Sequence, residues 1–183
     1  YRFIAVDTPQ VNAVGMPGGF VAVTTGMLRA LRSEDELAAV LAHEIAHVQH
    51  GHVMSPVEGA REQEHITSVM LAGTDEKIHA FFGKVVTLGA DFVLDKGYGK
   101  ANELEADAFA TRILQAAGYD PQALGRALGR LEGPAAEGGF FSRHPPAADR
   151  AAALGQQSTG KATSGEARRA ARFERGVRAL DAS

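Results

Sequence analysis

The sequence predicts an α+β chain that is mostly helical. Strand-like segments come first, helical patterns dominate after Gly26, and no internal repeat is visible. At 183 residues and 45% hydrophobic, the chain can bury one core and reads as a single domain.

Tyr1 to Val6 alternates Tyr, Phe and Ala against Arg, Ile and Val, the pattern of a strand buried on both faces or nearly so. Asp7-Thr8-Pro9 is a turn, and Gly15-Met16-Pro17-Gly18-Gly19 is a second break. Phe20 to Thr25 is then β-branched enough for another strand. Gly26 ends it, and Met27 to Leu31 is a short helical turn. Ser33 reads as an N-cap, with Glu34, Asp35 and Glu36 behind it at the positive helix end. Leu37, Val40, Leu41, Ile45 and Val48 follow at helical spacing until His50-Gly51-His52 closes the helix.

Two further helices are expected over about 58–71 and 75–94. The run from Ile78 to Leu94 is the longest apolar stretch, but Lys84 and Asp91 interrupt it and it is too short to cross a membrane. Gly97-Tyr98-Gly99 breaks the pattern. A helix from about Ala101 to Ala117 stops at Gly118, and Asp120-Pro121 opens another to about Leu131. Gly133 to Phe141 is a loop, His144-Pro145-Pro146 starts a short helix to Leu154, and Gln156 to Gly165 is linker. The last segment sets Phe173, Val177 and Leu180 on one stripe and Arg168, Arg169, Arg172 and Arg175 on the other. With a formal net charge of −3, that basic face reads as solvated and not as a nucleic-acid arm. The chain begins at Tyr1 without an initiator methionine and is expected to be a fragment or a processed form, so a missing signal peptide carries no information.

The chemistry concentrates in His43-Glu44-Ile45-Ala46-His47. On a helix His43 and His47 lie one turn apart on one face, as two neutral imidazoles binding one cation require. Glu44 follows the first of them, where it can take a proton from an activated water. With no cysteine, thiolate metal sites, disulfides and a cysteine nucleophile are excluded, so a third ligand must be His, Asp or Glu. Asn102-Glu103-Leu104-Glu105-Ala106-Asp107 is the best source, because Glu103 and Asp107 share a helix face that Ala106, Ala110, Ile113 and Leu114 let pack closely on a neighbour. One carboxylate can bind metal while the other accepts the N–H of a ligand histidine; Glu105 points elsewhere and is expected in solvent. The extended pattern H-E-x-x-H-x-x-G-x-x-H needs glycine at 50 and histidine at 53, where this chain has His50 and Val53. His50 is expected solvated or behind the ligand pair, and His52, His65 and His79 have no supporting pattern. His144, just before a double proline, is placed to point into a cleft.

These residues resemble the HtpX-like and CAAX-prenyl-protease-related zinc metalloendopeptidases, family forty-eight of the metallopeptidases, which are gluzincins. The resemblance rests on Val11-Asn12-Ala13 with Pro17-Gly18-Gly19-Phe20-Val21, on Leu41 to His47, on Glu103 to Ala110, and on His144-Pro145-Pro146 with Asp149-Arg150. It implies a zincin-like domain over 1–155, with 156–183 as linker and C-terminal amphipathic helix. It implies one Zn2+ on His43, His47 and Glu103, with Glu44 as general base and Asp107 supporting a ligand histidine. His144 in such proteins either stabilises the oxyanion or fills zinc's open position in a resting state, and Arg150 is a further candidate for the oxyanion.

In that frame the strand from Phe20 to Thr24 is expected to be a sheet edge lining the cleft. Gly19, Phe20, Val21 and Ala22 would bind an extended substrate by backbone hydrogen bonds, which implies broad specificity. The resemblance points to the soluble, envelope-associated branch, in the bacterial periplasm or cell envelope, acting on unfolded or misassembled polypeptides. No nucleic-acid partner and no integral membrane span are expected, and the sequence does not set an oligomeric state. The competing reading is a zinc-bound, self-inhibited chaperone or adaptor with little proteolysis. A non-peptidase zinc hydrolase would instead need a closed pocket for a small substrate.

Overall fold

The computed structural model describes residues 1–16, 18–52, 99–131 and 165–180, with Glu76, Lys77, Ala80, His144, Arg150 and Leu154. The helix expected over 58–71, that over 75–94 apart from Glu76, Lys77 and Ala80, His65, His79, the 133–141 loop and most of the linker lie outside the described residues. Among those described, three short strands precede five helices: β1 (Arg2–Val6), β2 (Ala13–Met16), β3 (Phe20–Thr24), α1 (Thr25–Ala30), α2 (Glu34–Gln49), α3 (Lys100–Ala117), α4 (Ala123–Leu131) and α5 (Glu166–Leu180). The architecture is the mostly helical α+β class that the sequence predicts.

The sheet order is β1-β3-β2, with β1 parallel and β2 antiparallel to β3. This corrects two expectations. β3 is the central strand, hydrogen-bonded on both sides and buried throughout, so Phe20, Val21 and Ala22 have no free backbone edge for a substrate. β1, in contrast, is an edge strand: Phe3 is 54% exposed and only Val6 is buried. Alternation in Tyr1 to Val6 reports a pleat but cannot report what covers each face. The edge that meets the helices is β2, where Gly15 lies against α2. A Cβ at Gly15 would sit 2.7 Å from the Glu44 carbonyl oxygen and 2.7 Å from Val48 Cγ2, so only glycine permits this approach.

α2 starts as its sequence dictates: Ser33 Oγ accepts the Glu36 N–H at 3.2 Å. It runs through the middle of the core. Ala39, Ala42 and Ala46 on α2 and Ala106 and Ala110 on α3 are all buried, and these small side chains let the two helices approach closely. α3 is closed by Gly118, with Tyr119 N–H bonded to the Leu114 carbonyl at 2.9 Å. Asp120 then caps the next turn through the Gln122 N–H, and α4 adds Leu124, Ala127 and Leu128 to the core that α2 enters.

The C-terminal helix α5 joins the same core through Phe173, with Val177 packed against it. Two of its arginines are ion-paired: Arg169 is largely covered, while Arg172 stays exposed as expected. Arg169 forms a two-bond fork with Asp35 at 3.0 Å each, and Arg172 pairs with Glu34. Both acids belong to the first turn of α2, so α5 straps the N-terminal end of the helix that carries His43 and His47.

Burial raises the Asp35 pKa, but the hydrogen bonds from Arg169 and the Asp120 N–H outweigh it and hold the carboxyl below its ordinary 3.8. A lowered folded pKa stabilises above the unfolded value and is lost as pH falls through the folded one. Asp35→Asn should therefore lower stability at pH 7 by about 1.5–3 kcal/mol, the usual range for hydrogen bonds to a charged group. In urea unfolding at stepped pH, the gap between variant and wild type should narrow below about pH 4.

Candidate active site

The site forms where α2, α3 and two residues from the C-terminal part of the chain converge. α2 presents His43 and His47 one turn apart, with Nε2 atoms 2.9 Å from each other. α3 brings the Glu103 carboxylate to 3.5 Å from both of these nitrogens. His144 enters from the far side, its Nδ1 2.9 Å from Glu103 Oε1 and 3.2 Å from His43 Nε2. His43, His47, Glu103 and His144 are all 1% exposed or less, and they offer four donor atoms within 4.8 Å of one another.

This donor set fits a metal ion. Bonds of 2.0–2.2 Å in a tetrahedron separate the ligand atoms by about 3.3–3.6 Å, and the distances here run from 2.9 to 3.5 Å. Charge agrees with geometry. Glu44, Glu103 and Asp107 bring three carboxylates to one buried region, and Arg150 is the single guanidinium that the described residues set against them. A divalent cation would balance the remainder.

Around the donors lies a supporting frame. Asp107 Oδ1 stands 3.0 Å from His43 Nδ1, the arrangement that fixes a ring's tautomer and turns its other nitrogen inward. Arg150 donates Nε and Nη2 to the two oxygens of Asp107 at 2.8 and 2.7 Å, and its Nη1 lies 2.6 Å from Glu103 Oε2. The guanidinium thus braces Glu103 and Asp107 of α3 together. Glu44 accepts the Gly15 N–H at 2.7 Å through Oε2, while its Oε1 has His144 Nε2 at 3.4 Å. Gly15 and its strand give no sequence signal for this contact.

The titration behaviour follows from the crowding. Burial would lower the His43 pKa, but hydrogen bonds with Asp107 and Glu103 raise it to about 9. Burial and the neighbouring His43 and His144 charges push His47 down. For Glu103, burial raises the pKa, while hydrogen bonds with His144 and His43 prevail and lower it. In the metal-free state His43 therefore carries a proton while His47 and Glu103 do not, so a cation binding here must displace the His43 proton.

The remaining expected residues divide. Gly19, Phe20, Val21 and Ala22 are not brought to the metal-fitting cluster by any described contact. His52, which carries no sequence signal, reaches His47: their Nδ1 atoms are 3.1 Å apart. Its other nitrogen and His50 Nδ1 both meet Glu105, so that carboxylate is half-exposed yet doubly contacted.

A site of this composition on two packed helices defines a metallopeptidase-type centre, and the sequence comparisons agree: the chain belongs to peptidase family M48, whose profile matches residues 1–158. Among its relatives, the beta-barrel assembly-enhancing protease of Yersinia pestis is 32% identical over 136 residues, covering 72% of this chain and 28% of that protein. The mitochondrial metalloendopeptidase OMA1 of Arabidopsis thaliana is 32% identical over 161 residues, covering 85% and 31% respectively. The metalloprotease YcaL of Escherichia coli K12 is 28% identical over 154 residues, covering 79% and 57%. The chain therefore spans less than a third of the length of the first two. No helix among the described residues is long and apolar enough to cross a membrane.

Asp107→Asn keeps the side chain's shape but weakens both its fork with Arg150 and its hold on His43. Metal affinity, read by competition with a chromophoric chelator, should fall roughly 10- to 100-fold. An unchanged affinity would remove Asp107 from the supporting frame.

Proposed function

We propose that the chain is the catalytic domain of a zinc metalloendopeptidase, with residues 1–155 as the domain and 156–183 as a linker and strapping helix. The observation that carries this reading is the convergence of His43, His47 and Glu103 on one buried point beside Glu44, in a member of family M48. His43, His47 and Glu103 would hold one Zn2+. Zinc in that position supplies Lewis acidity, which makes water a nucleophile near neutral pH and polarises a carbonyl.

The protein's own groups do the rest. Glu44 accepts the proton of the attacking water and returns it to the departing amine, with the Gly15 N–H keeping its carboxylate in place. Asp107 orients His43, and Arg150 keeps Glu103 and Asp107 together. His144, beside both Glu44 and Glu103, is the candidate donor to the developing oxyanion. An extended polypeptide would pair with a strand edge other than the central β3. Main-chain pairing there reads backbone more than side chains, which favours unfolded or misassembled protein substrates. Placement in the bacterial periplasm or cell envelope follows the resemblance and relatives named for β-barrel assembly.

One observation favours the second reading, a self-inhibited chaperone or adaptor. In this conformation His144 Nδ1 is itself one of the four converging donors, as a residue filling zinc's open position would be.

Glu44→Gln should retain zinc and lose casein or unfolded-protein hydrolysis, since the amide cannot accept the proton. More than a small fraction of wild-type turnover in this variant would refute Glu44 as base.

His144→Ala separates the two readings. As an oxyanion donor its loss should cut turnover about 10²- to 10³-fold with zinc content unchanged, which is the expected result. A rise in turnover would instead identify His144 as a cap.

A further inference from the structure

At the C-terminal end of α2, a second group of side chains has ligand chemistry that the proposed reaction does not use. We propose that His50, His52 and Glu105 form an outer site for a zinc-class divalent cation. His50 Nδ1 lies 3.2 Å from Glu105 Oε1, and His52 Nε2 lies 3.3 Å from Glu105 Oε2. One carboxylate is thus faced by two imidazoles. The two rings stack with centroids 5.5 Å apart and 22° between their planes, and each turns a nitrogen toward Glu105. One donor atom from each residue falls within 4.8 Å of the others, close enough for one ion to draw the three together.

The backbone prepares this arrangement. Gly51 has φ +69, a left-handed conformation that costs glycine little and lets His50 and His52 flank Glu105 together. His52 N–H bonds to the His47 carbonyl at 2.9 Å, which ties the turn to α2. The His52 ring is also held from within: its Nδ1 is 3.1 Å from His47 Nδ1 and its Nε2 faces Glu105, and because the two Nδ1 atoms can share only one proton, filling both sites would release the other proton. His50 packs edge-on against Phe109 of α3, centroids 4.9 Å apart, which restrains the second ring.

Exposure distinguishes this site from the inner one. The side chains of Glu105, His50 and His52 are 54%, 26% and 7% exposed, so solvent can deliver the ion and complete its coordination with water. Two imidazoles and a carboxylate, without cysteine, suit Zn2+ and its neighbours Co2+ and Ni2+ better than Mg2+ or Ca2+, which prefer all-oxygen sites. A cation here would cross-link the end of α2 to the first turns of α3, the two helices that carry the inner donors.

The test counts ions. Metal-free chain is titrated with Zn2+ and the bound number read by native mass spectrometry, with Co2+ absorption as a second readout of tetrahedral coordination. Wild type should bind two ions, the double variant His50→Ala/Glu105→Gln one, and Glu103→Ala should keep the outer ion. An ion lost from the double variant but kept by Glu103→Ala supports the outer site even if the inner assignment fails. Equal ion counts in wild type and double variant would overturn it.

Discussion

The structure depends on holding two buried carboxylates of α3 against two buried imidazoles of α2. Glu103 is fully buried and Asp107 3% exposed, and so much charge in a core is costly unless every group is compensated. Compensation here is reciprocal. Arg150 ties Asp107 and Glu103 together, Asp107 holds His43, and Glu103 meets His43, His47 and His144. Removing one member strands another in low dielectric, so the network tolerates little rearrangement and keeps its donors aimed at one point.

The rest of the fold serves that alignment. Small residues on α2 and α3 bring the two backbones close enough for short side chains to span the gap. Gly15 brings β2 onto α2, where its N–H holds Glu44. At the other end, α5 clamps the first turn of α2 through Asp35 and Glu34. The helix carrying the proposed ligands and base is therefore fixed at its start, its middle and, through the His52 N–H, its end. Such preorganisation matters for a group that must sit where charge develops and not move to meet it.

Much of this was legible in the sequence, because local rules govern it. Ser33 as N-cap, the Lys100–Ala117 helix with Gly118 at its end, and His43 and His47 on one face all follow from spacing and capping. Strand order did not follow. β3 inserts between β1 and β2, and no property of Phe20 to Thr24 distinguishes a central strand from an edge. The arginines of α5 read as a solvated face because their partners stand more than a hundred positions away. Arg150 was legible as a site residue but not as a brace, since a motif gives identity and not the direction of a guanidinium. Glu105 was assigned to solvent from helical phase alone, which cannot anticipate His50 and His52 folding back over it.

The central claim is that His43, His47 and Glu103 hold one zinc ion. Anomalous diffraction at the zinc edge, from crystals of the chain grown with Zn2+, tests it most directly. The account predicts a peak in the buried cluster within about 2.0–2.2 Å of His43 Nε2, His47 Nε2 and a Glu103 carboxylate oxygen. Crystals with zinc bound elsewhere and no peak among these three residues would contradict it.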